Sequence, residues 1–257
     1  MSNTSLSDRM KEYEAVTRFT LPRRTHTILR VDGRAFHTYL RDADKPFDMT
    51  FVRDMDSVAQ ALCAEITGTV FAYAQSDEIS LLIRDDASVN TEPWFGGVIQ
   101  KMTSVAASVA TARLNQMRPS GLGLFDARVF TIPDPVEVAN YFLHRQQDAL
   151  RNSISMVAQA FFAPEQLHGL CGEEMQALLY TVHGVSWAND YPTSCQDGRV
   201  CVRESYTEDV TYTDGRTGEE VTVTAQRSRW VIQDAVRFSA DSDQWLAHMI
   251  QGETHDL

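Results

Sequence analysis

The sequence has little of what an oxidising, membranous or strongly basic setting would require. Its four cysteines, Cys63, Cys171, Cys195 and Cys201, are far apart or loosely spaced. They lack the CxxC pairs of a structural zinc site and read as reduced thiols. Lysine is confined to Lys11, Lys45 and Lys101, so the positive charge is almost all arginine. No apolar run is long enough to cross a bilayer, and the polar opening from Met1 to Ser5 has no signal-peptide core. The expectation is a cytoplasmic protein with no membrane partner. Basic charge is scarce as well: 35 acidic against 23 basic residues leave a net charge of −12. Nonspecific nucleic-acid affinity comes mainly from neutralised phosphates, so an indiscriminate binder is excluded and any RNA contact must be local. Repeats, low-complexity tracts and Pro/Gly/Ser linkers are missing too, so no clean internal boundary is marked.

What is present is enough for a buried core, with 257 residues of which 43% are hydrophobic. Ser7 to Phe19 reads as a helix stopped by Pro22, and Thr25 to Val31 as a strand ending at Asp32-Gly33. Phe51, Met55, Val58, Ala59, Leu62 and Ile66 recur at helical spacing. Two apolar runs, Val70 to Ala74 and Ile79 to Ile83, flank Gln75-Ser76-Asp77-Glu78 as a β-hairpin would. A helix around Val98 to Val109, a strand from Leu124 to Ile132 and a long helix from Val136 to Phe162 follow. After Pro164 come a short helix, Glu173 to Val182, and a β-hairpin arm at Val210 to Tyr212 and Val221 to Val223. The order predicts an α+β fold: a polymerase- or cyclase-like palm with an antiparallel sheet, helices on one face, and a C-terminal β-hairpin arm. Residues 1–165 are expected to form the palm and 166–257 a helical and hairpin region packed on it.

Asp32 ends a strand, and Asp77 with Glu78 sits on a hairpin tip that can pair beside it. Ordinary turn chemistry accounts for Asp, Ser and Gly at such places. Converging carboxylates have a second meaning. Mg²⁺ takes one or two protein carboxylates plus phosphate and water oxygens, and a pair of such ions supports phosphoryl transfer.

The segments Arg30-Val31-Asp32-Gly33-Arg34-Ala35-Phe36-His37, Lys45-Pro46, Ala72 to Ser80 (AYAQSDEIS), Phe125-Asp126-Ala127-Arg128 and Arg145-Gln146-Gln147-Asp148 carry a resemblance. They are similar, in order, to the RIDGRGFH, KP, AYGQSDEYS, FDAR and RQAD signatures of the tRNA-histidine guanylyltransferase family. Gly184 to Arg203 resembles the family more loosely. The resemblance implies a nucleotidyltransferase that adds nucleotides to the 5′ end of tRNA, with two Mg²⁺ ions and with GTP and ATP as substrates. By the same resemblance Asp32 and Asp77 hold the ions, the Gly33 carbonyl completes one shell, and Glu78 assists as a catalytic carboxylate. Nucleotide contacts fall to Asp32, Gly33, Arg34, Ala35, Phe36, His37, Lys45, Ser76, Asp77 and Lys101. On the long helix Arg145, Asp148 and Asn152 share a face, which is read either as carrying an Arg145–Asp148 surface pair or as lining the site. A homotetramer or dimer is implied.

Some positions depart from the pattern. Ala35 and Ala74 stand where the family usually has glycine. Leu150 to Met156 replaces HINNLYN, and Glu92 to Val98 replaces a basic run, leaving Lys101 without its neighbouring arginine. These features resemble the guanylyltransferase-like branch, whose members act as templated 3′-to-5′ polymerases in tRNA 5′-end repair. Strict addition of one guanosine to tRNA-histidine is the alternative within the family. A nucleotide cyclase and a non-catalytic RNA-binding module are the alternatives outside it.

Overall fold

A computed structural model describes residues 5–119, 121–238 and 244–251. The chain runs α1 (Leu6–Ala15), β1 (His26–Gly33), α2 (Phe36–Tyr39), α3 (Met49–Glu65), β2 (Thr69–Gln75), β3 (Glu78–Ile83), α4 (Ile99–Met117), β4 (Phe125–Ile132) and α5 (Pro135–Phe161). Then come α6 (Pro164–Leu167), α7 (Gly172–His183), α8 (Trp187–Asp190), α9 (Thr193–Gln196), β5 (Arg199–Thr213), β6 (Glu220–Asp234) and α10 (Gln244–Gln251). Among the described residues no helix is long and apolar enough to cross a membrane. The helix starts follow capping chemistry. Asp48 accepts from the Thr50 and Phe51 N–H groups to open α3, and Asp134 accepts from Val136 to open α5, where Pro135 supplies a preset φ.

The strands form one antiparallel sheet in the order β4-β1-β3-β2-β5-β6. Every residue of β3 and most of β2 are buried, and an apolar run of that kind must be covered on both faces. That corrects the expectation of helices on one face. Leu29, Val31, Ala72 and Leu81 pack under Met55, Val58 and Leu62 of α3 and Met102, Ala106 and Leu114 of α4. On the reverse face Ile28, Phe71, Tyr73 and Leu82 pack under Val138 and Phe142 of α5 and Ile250 of α10. Each large side chain so buried contributes roughly 1.5–3 kcal/mol. A third cluster joins Ile154, Val157 and Phe162 to Leu179 and Trp187, which fastens the far half of α5 to α7.

The C-terminal hairpin is longer than its alternation suggested, and its base belongs to the sheet. β5 pairs with β2 from Phe71↔Val202 to Ala74↔Arg199, and with β6 from Arg199↔Asp234 to Thr213↔Glu220. Only its first four residues are buried. Farther out both faces meet solvent, so Glu, Thr and Arg fill them and the strand period carries no apolar signal.

Candidate active site

The site is built on the matched ends of β1, β3 and β4. Cα partnering sets Asp32 beside Glu78 on one neighbour and beside Asp126 on the other. Two residues along each strand the partners are Arg30, Ser80 and Arg128. Residues two apart share a sheet face. A row of three carboxylates is therefore backed by a row carrying two guanidinium groups. Arg30 lies 3.5 Å from Asp32 and 3.8 Å from Glu78, and Arg128 lies 3.8 Å from Asp32.

Across this row α5 lowers Arg145, whose Nε and Nη2 each donate to a Glu78 oxygen at 2.8 Å. The Arg145 side chain is only 11% exposed and that of Glu78 only 7%, so this pair is mostly buried. Arg145 also donates to Asp148, and Arg151 donates to the other Asp148 oxygen. Burial pushes the Asp148 carboxyl upward, but Arg145 and Arg151 outweigh it and hold the group below the usual range. Both oxygens of Glu78 are thus committed to arginine at 2.8 Å, whereas Asp32 keeps only longer contacts, 3.5 Å to Arg30 and 3.8 Å to Arg128, and with Asp77 is a candidate to hold a cation.

Asp77 stands in the two-residue turn between β2 and β3, where Ser76 takes a left-handed φ of 46°. Its carbonyl accepts from the Gly33 N–H at 3.1 Å. A Cβ on Gly33 would lie 2.6 Å from Asp77 Oδ2 and 2.5 Å from the Phe36 ring, so only glycine lets the strand end and the turn close up. Burial raises the Asp77 carboxyl above its ordinary range, and the charges of Asp32 and Glu78 add to this against a hydrogen bond from Ser76. Two carboxylates crowded in this way fit a divalent cation, whose charge would relieve their repulsion. Among the described residues no group of three or more His, Cys, Asp or Glu side chains could hold a metal by itself. The donor set fits Mg²⁺, which draws most of its oxygens from water and phosphate, better than a metal needing a full protein cage.

The remaining sequence-derived candidates divide. Ala35 is left-handed, with φ 56°, and starts α2. The Arg34 N–H is spent on the Leu124 carbonyl at 2.8 Å. Among the described residues nothing accepts from the N–H groups of Ala35, Phe36 or His37, which remain available to an anion. The Phe36 ring is buried against Phe51 and Phe125, so only its backbone can serve a ligand. Lys45, Ser76 and Asn152 open on one cleft with Asp44, Asp48, Cys195 and Arg199.

Lys101 is not brought there. It sits in the first turn of α4, whose approach through Trp94 and Gly97 packs beside Thr27 and Ile83, away from Asp32. The other end of α4, at Leu114, is the end that reaches Gly123 near Phe36. At 1.5 Å per residue the helix separates Lys101 from that end by roughly 20 Å. Sequence reasoning had not assigned roles to Arg30 and Arg128. Their position two residues from Asp32 and Asp126, on the same face, was the available signal. Nothing local marked Arg199, whose partner Asp56 lies on another element.

Comparison with known proteins identifies relatives of the whole chain. A family model described as tRNAHis guanylyltransferase matches residues 7–133. A solved bacterial tRNA(His) guanylyltransferase-like protein in complex with ATP is 37% identical, with 96% of this chain and 99% of that chain covered and a TM-score of 0.82. A second such structure, in complex with GTP, is 36% identical over the same shares, with a TM-score of 0.78. The tRNA(His) guanylyltransferase of Debaryomyces hansenii is 27% identical over 217 residues, which cover 76% of this chain and 79% of the relative.

Proposed function

The chain belongs to the tRNAHis guanylyltransferase family of nucleotidyltransferases, and from that premise we propose that it is a 3′-to-5′ polymerase that repairs tRNA 5′ ends against the opposite strand. The observation that carries this reading is the closure of Asp32 and Asp77 around Gly33 beside a cleft on which Lys45 and Ser76 open.

The reaction runs in two displacements. The RNA 5′-monophosphate attacks the α-phosphorus of ATP and pyrophosphate leaves. The 3′-hydroxyl of the incoming nucleotide then attacks the activated 5′ phosphorus and AMP leaves. With an RNA 5′-triphosphate the first displacement is unnecessary. Asp32, Asp77 and the Gly33 carbonyl would hold two Mg²⁺ ions, which when bound activate the attacking oxygen and stabilise the leaving one. Lys45 and Ser76 would orient the triphosphate, with the open N–H groups of Ala35, Phe36 and His37 as further donors. Glu78, gripped by Arg145, positions the hairpin tip instead of receiving a proton.

Residues 1–165 would carry the chemistry, and the region 166–257 would complete the cleft through Ser194, Cys195 and Arg199. We place the protein in the cytoplasm as a dimer or tetramer, because a chain of net charge −12 gains a local basic surface for RNA most readily by joining protomers.

The template-directed reading is favoured by Leu150 to Met156, since Asn152, Ser153 and Met156 of that stretch line the cleft. Incubation with Mg²⁺, labelled nucleotides and 5′-truncated tRNAs tests the proposal. Extension at the 5′ end is expected, and label incorporated without RNA would point instead to a cyclase.

A further inference from the structure

One buried amide on α5 holds both feet of the C-terminal hairpin. Gln146 is 1% exposed. Its Nε2 donates to the Asp197 carbonyl at 3.1 Å and to the Val236 carbonyl at 2.9 Å, and its Oε1 accepts from the Phe238 N–H at 2.6 Å. Asp197 stands just before β5, and Val236 and Phe238 stand just after β6, so one side chain fastens the way into the hairpin and the way out. An amide suits that place. Its NH₂ offers two donors and its oxygen an acceptor, a set that neither a carboxylate nor an ammonium can supply.

The foot before β5 is gripped from other directions as well. The Tyr73 hydroxyl donates to the same Asp197 carbonyl at 2.9 Å, and the buried Asp197 carboxylate accepts from Arg237 at 3.0 to 3.2 Å. Gly198 takes a φ of 82°, and a Cβ there would lie 2.6 Å from the Tyr73 oxygen. Around this corner Ser194, Cys195, Gly198 and Arg199 form part of the wall of the cleft on which Lys45 and Ser76 also open. Gln146 directly follows Arg145, whose guanidinium grips Glu78. Successive helix residues point about 100° apart, so the same turn of α5 holds the carboxylate hairpin with one side chain and the cleft wall with the next.

We propose that Gln146 is a positioning residue of the nucleotidyl transfer, holding the corner from Asp197 to Arg199 in place so that the cleft is formed before a nucleotide enters. This rests on the reading above that the incoming nucleotide occupies that cleft. A wall fixed beforehand needs no further ordering when the nucleotide arrives. An unfastened wall must be ordered by the nucleotide, which weakens binding without altering the reacting groups. Loss of the amide therefore raises KM for the incoming nucleotide and leaves kcat nearly unchanged. A role in stability alone acts the other way: the active fraction and the apparent kcat fall while KM stays where it was.

Gln146→Met keeps the length of the side chain and removes all three hydrogen bonds. Val138→Ala, in the core under the same helix, lowers stability away from the corner and serves as the control. Steady-state addition of the incoming nucleotide to a 5′-triphosphate tRNA lacking its first nucleotide isolates the second displacement. We expect KM for that nucleotide to rise about tenfold in Gln146→Met, the weight of one or two hydrogen bonds, with kcat within about twofold of the wild type. KM in Val138→Ala should not change. Tyr73→Phe takes one hydrogen bond from the same carbonyl and should raise KM about threefold; it decides if Gln146→Met is unfolded by circular dichroism. An unchanged KM in the deciding variant overturns the proposal, as does an equal rise in Val138→Ala. Wild-type protein that extends no RNA overturns the nucleotidyltransferase reading, and calorimetric titration with GTP in Mg²⁺ then decides for Gln146. Binding about tenfold weaker in Gln146→Met supports its role, and binding that is equal in the two proteins, or undetected in the wild type, overturns it.

Discussion

Arg145 and Glu78, 67 residues apart, meet through two parallel hydrogen bonds of 2.8 Å. The pair ties the middle of α5 to the hairpin that carries Asp77. Removing one partner strands a mostly buried charge, so Arg145→Ala should destabilise the protein by about 3 kcal/mol, near the low end for buried pairs because Arg30 still lies beside Glu78. Glu78→Gln/Arg145→Met should cost less than the sum of its single changes. Urea unfolding of the four proteins measures the coupling, and additive effects would show that the contact is unimportant.

Ala35 offers a test of backbone strain. Its φ of 56° lies in the left-handed region that costs a residue with a Cβ about 1–2 kcal/mol. Glycine, which the resembling signature carries there, removes that strain but gives back part of it in unfolded-state entropy. Ala35→Gly should therefore raise stability by about 0.5–1 kcal/mol. A lower melting temperature in this variant would mean that the left-handed turn is not kept in solution.

Much of this was legible in the chain. The hairpin of β2 and β3 could be read because its turn is short and polar between apolar runs, and Asp32 because a strand and a glycine frame it. Three things were less visible. The second helical layer could not be told from the first, since Ile28 and Leu29 are equally apolar but face opposite sides. The Glu78 to Arg145 grip depends on the tilt of α5, which spacing within that helix cannot report. Lys101 lies in none of the quoted signatures and is assigned by the family resemblance alone, whereas its place depends on the direction in which α4 crosses the sheet.

The crowded carboxylates should respond to metal. Asp32→Ala and Asp77→Ala should each abolish nucleotide transfer with circular dichroism unchanged, since either would remove a shared ligand. In the metal-free protein Asp77→Asn should melt higher than the wild type, because a half-buried charge beside Asp32 and Glu78 is removed. Added MgCl₂ should raise the melting temperature of the wild type and leave that of Asp77→Asn unchanged. Equal metal responses in the two proteins would remove Asp77 from the ligand set.

The first helix bears on the proposed assembly. No residue of α1 is buried, and Leu6, Met10 and Tyr13 along it are 65%, 47% and 75% exposed, an apolar stripe that solvent does not favour. Light scattering should give at least twice the 28.9 kDa of one chain. A monomer at working concentration would count against the proposed dimer or tetramer.

Base selection provides the last test. In the eukaryotic signature the stretch matching Leu150 to Met156 reads HINNLYN, whereas here the cleft is met by Asn152, Ser153 and Met156. None of these carries a formal charge, and two of the three have short side chains that reach little of an incoming base. Lys45 and Ser76 would hold phosphate and are indifferent to the base attached. Selection is then left to pairing with the facing nucleotide of the acceptor stem. A tRNA lacking its first nucleotide should be restored with the Watson–Crick partner of the facing base, and exchanging that base should exchange the nucleotide added. If the protein instead adds guanosine whatever base it faces, template choice is ruled out and the strict histidine-tRNA activity is the better description.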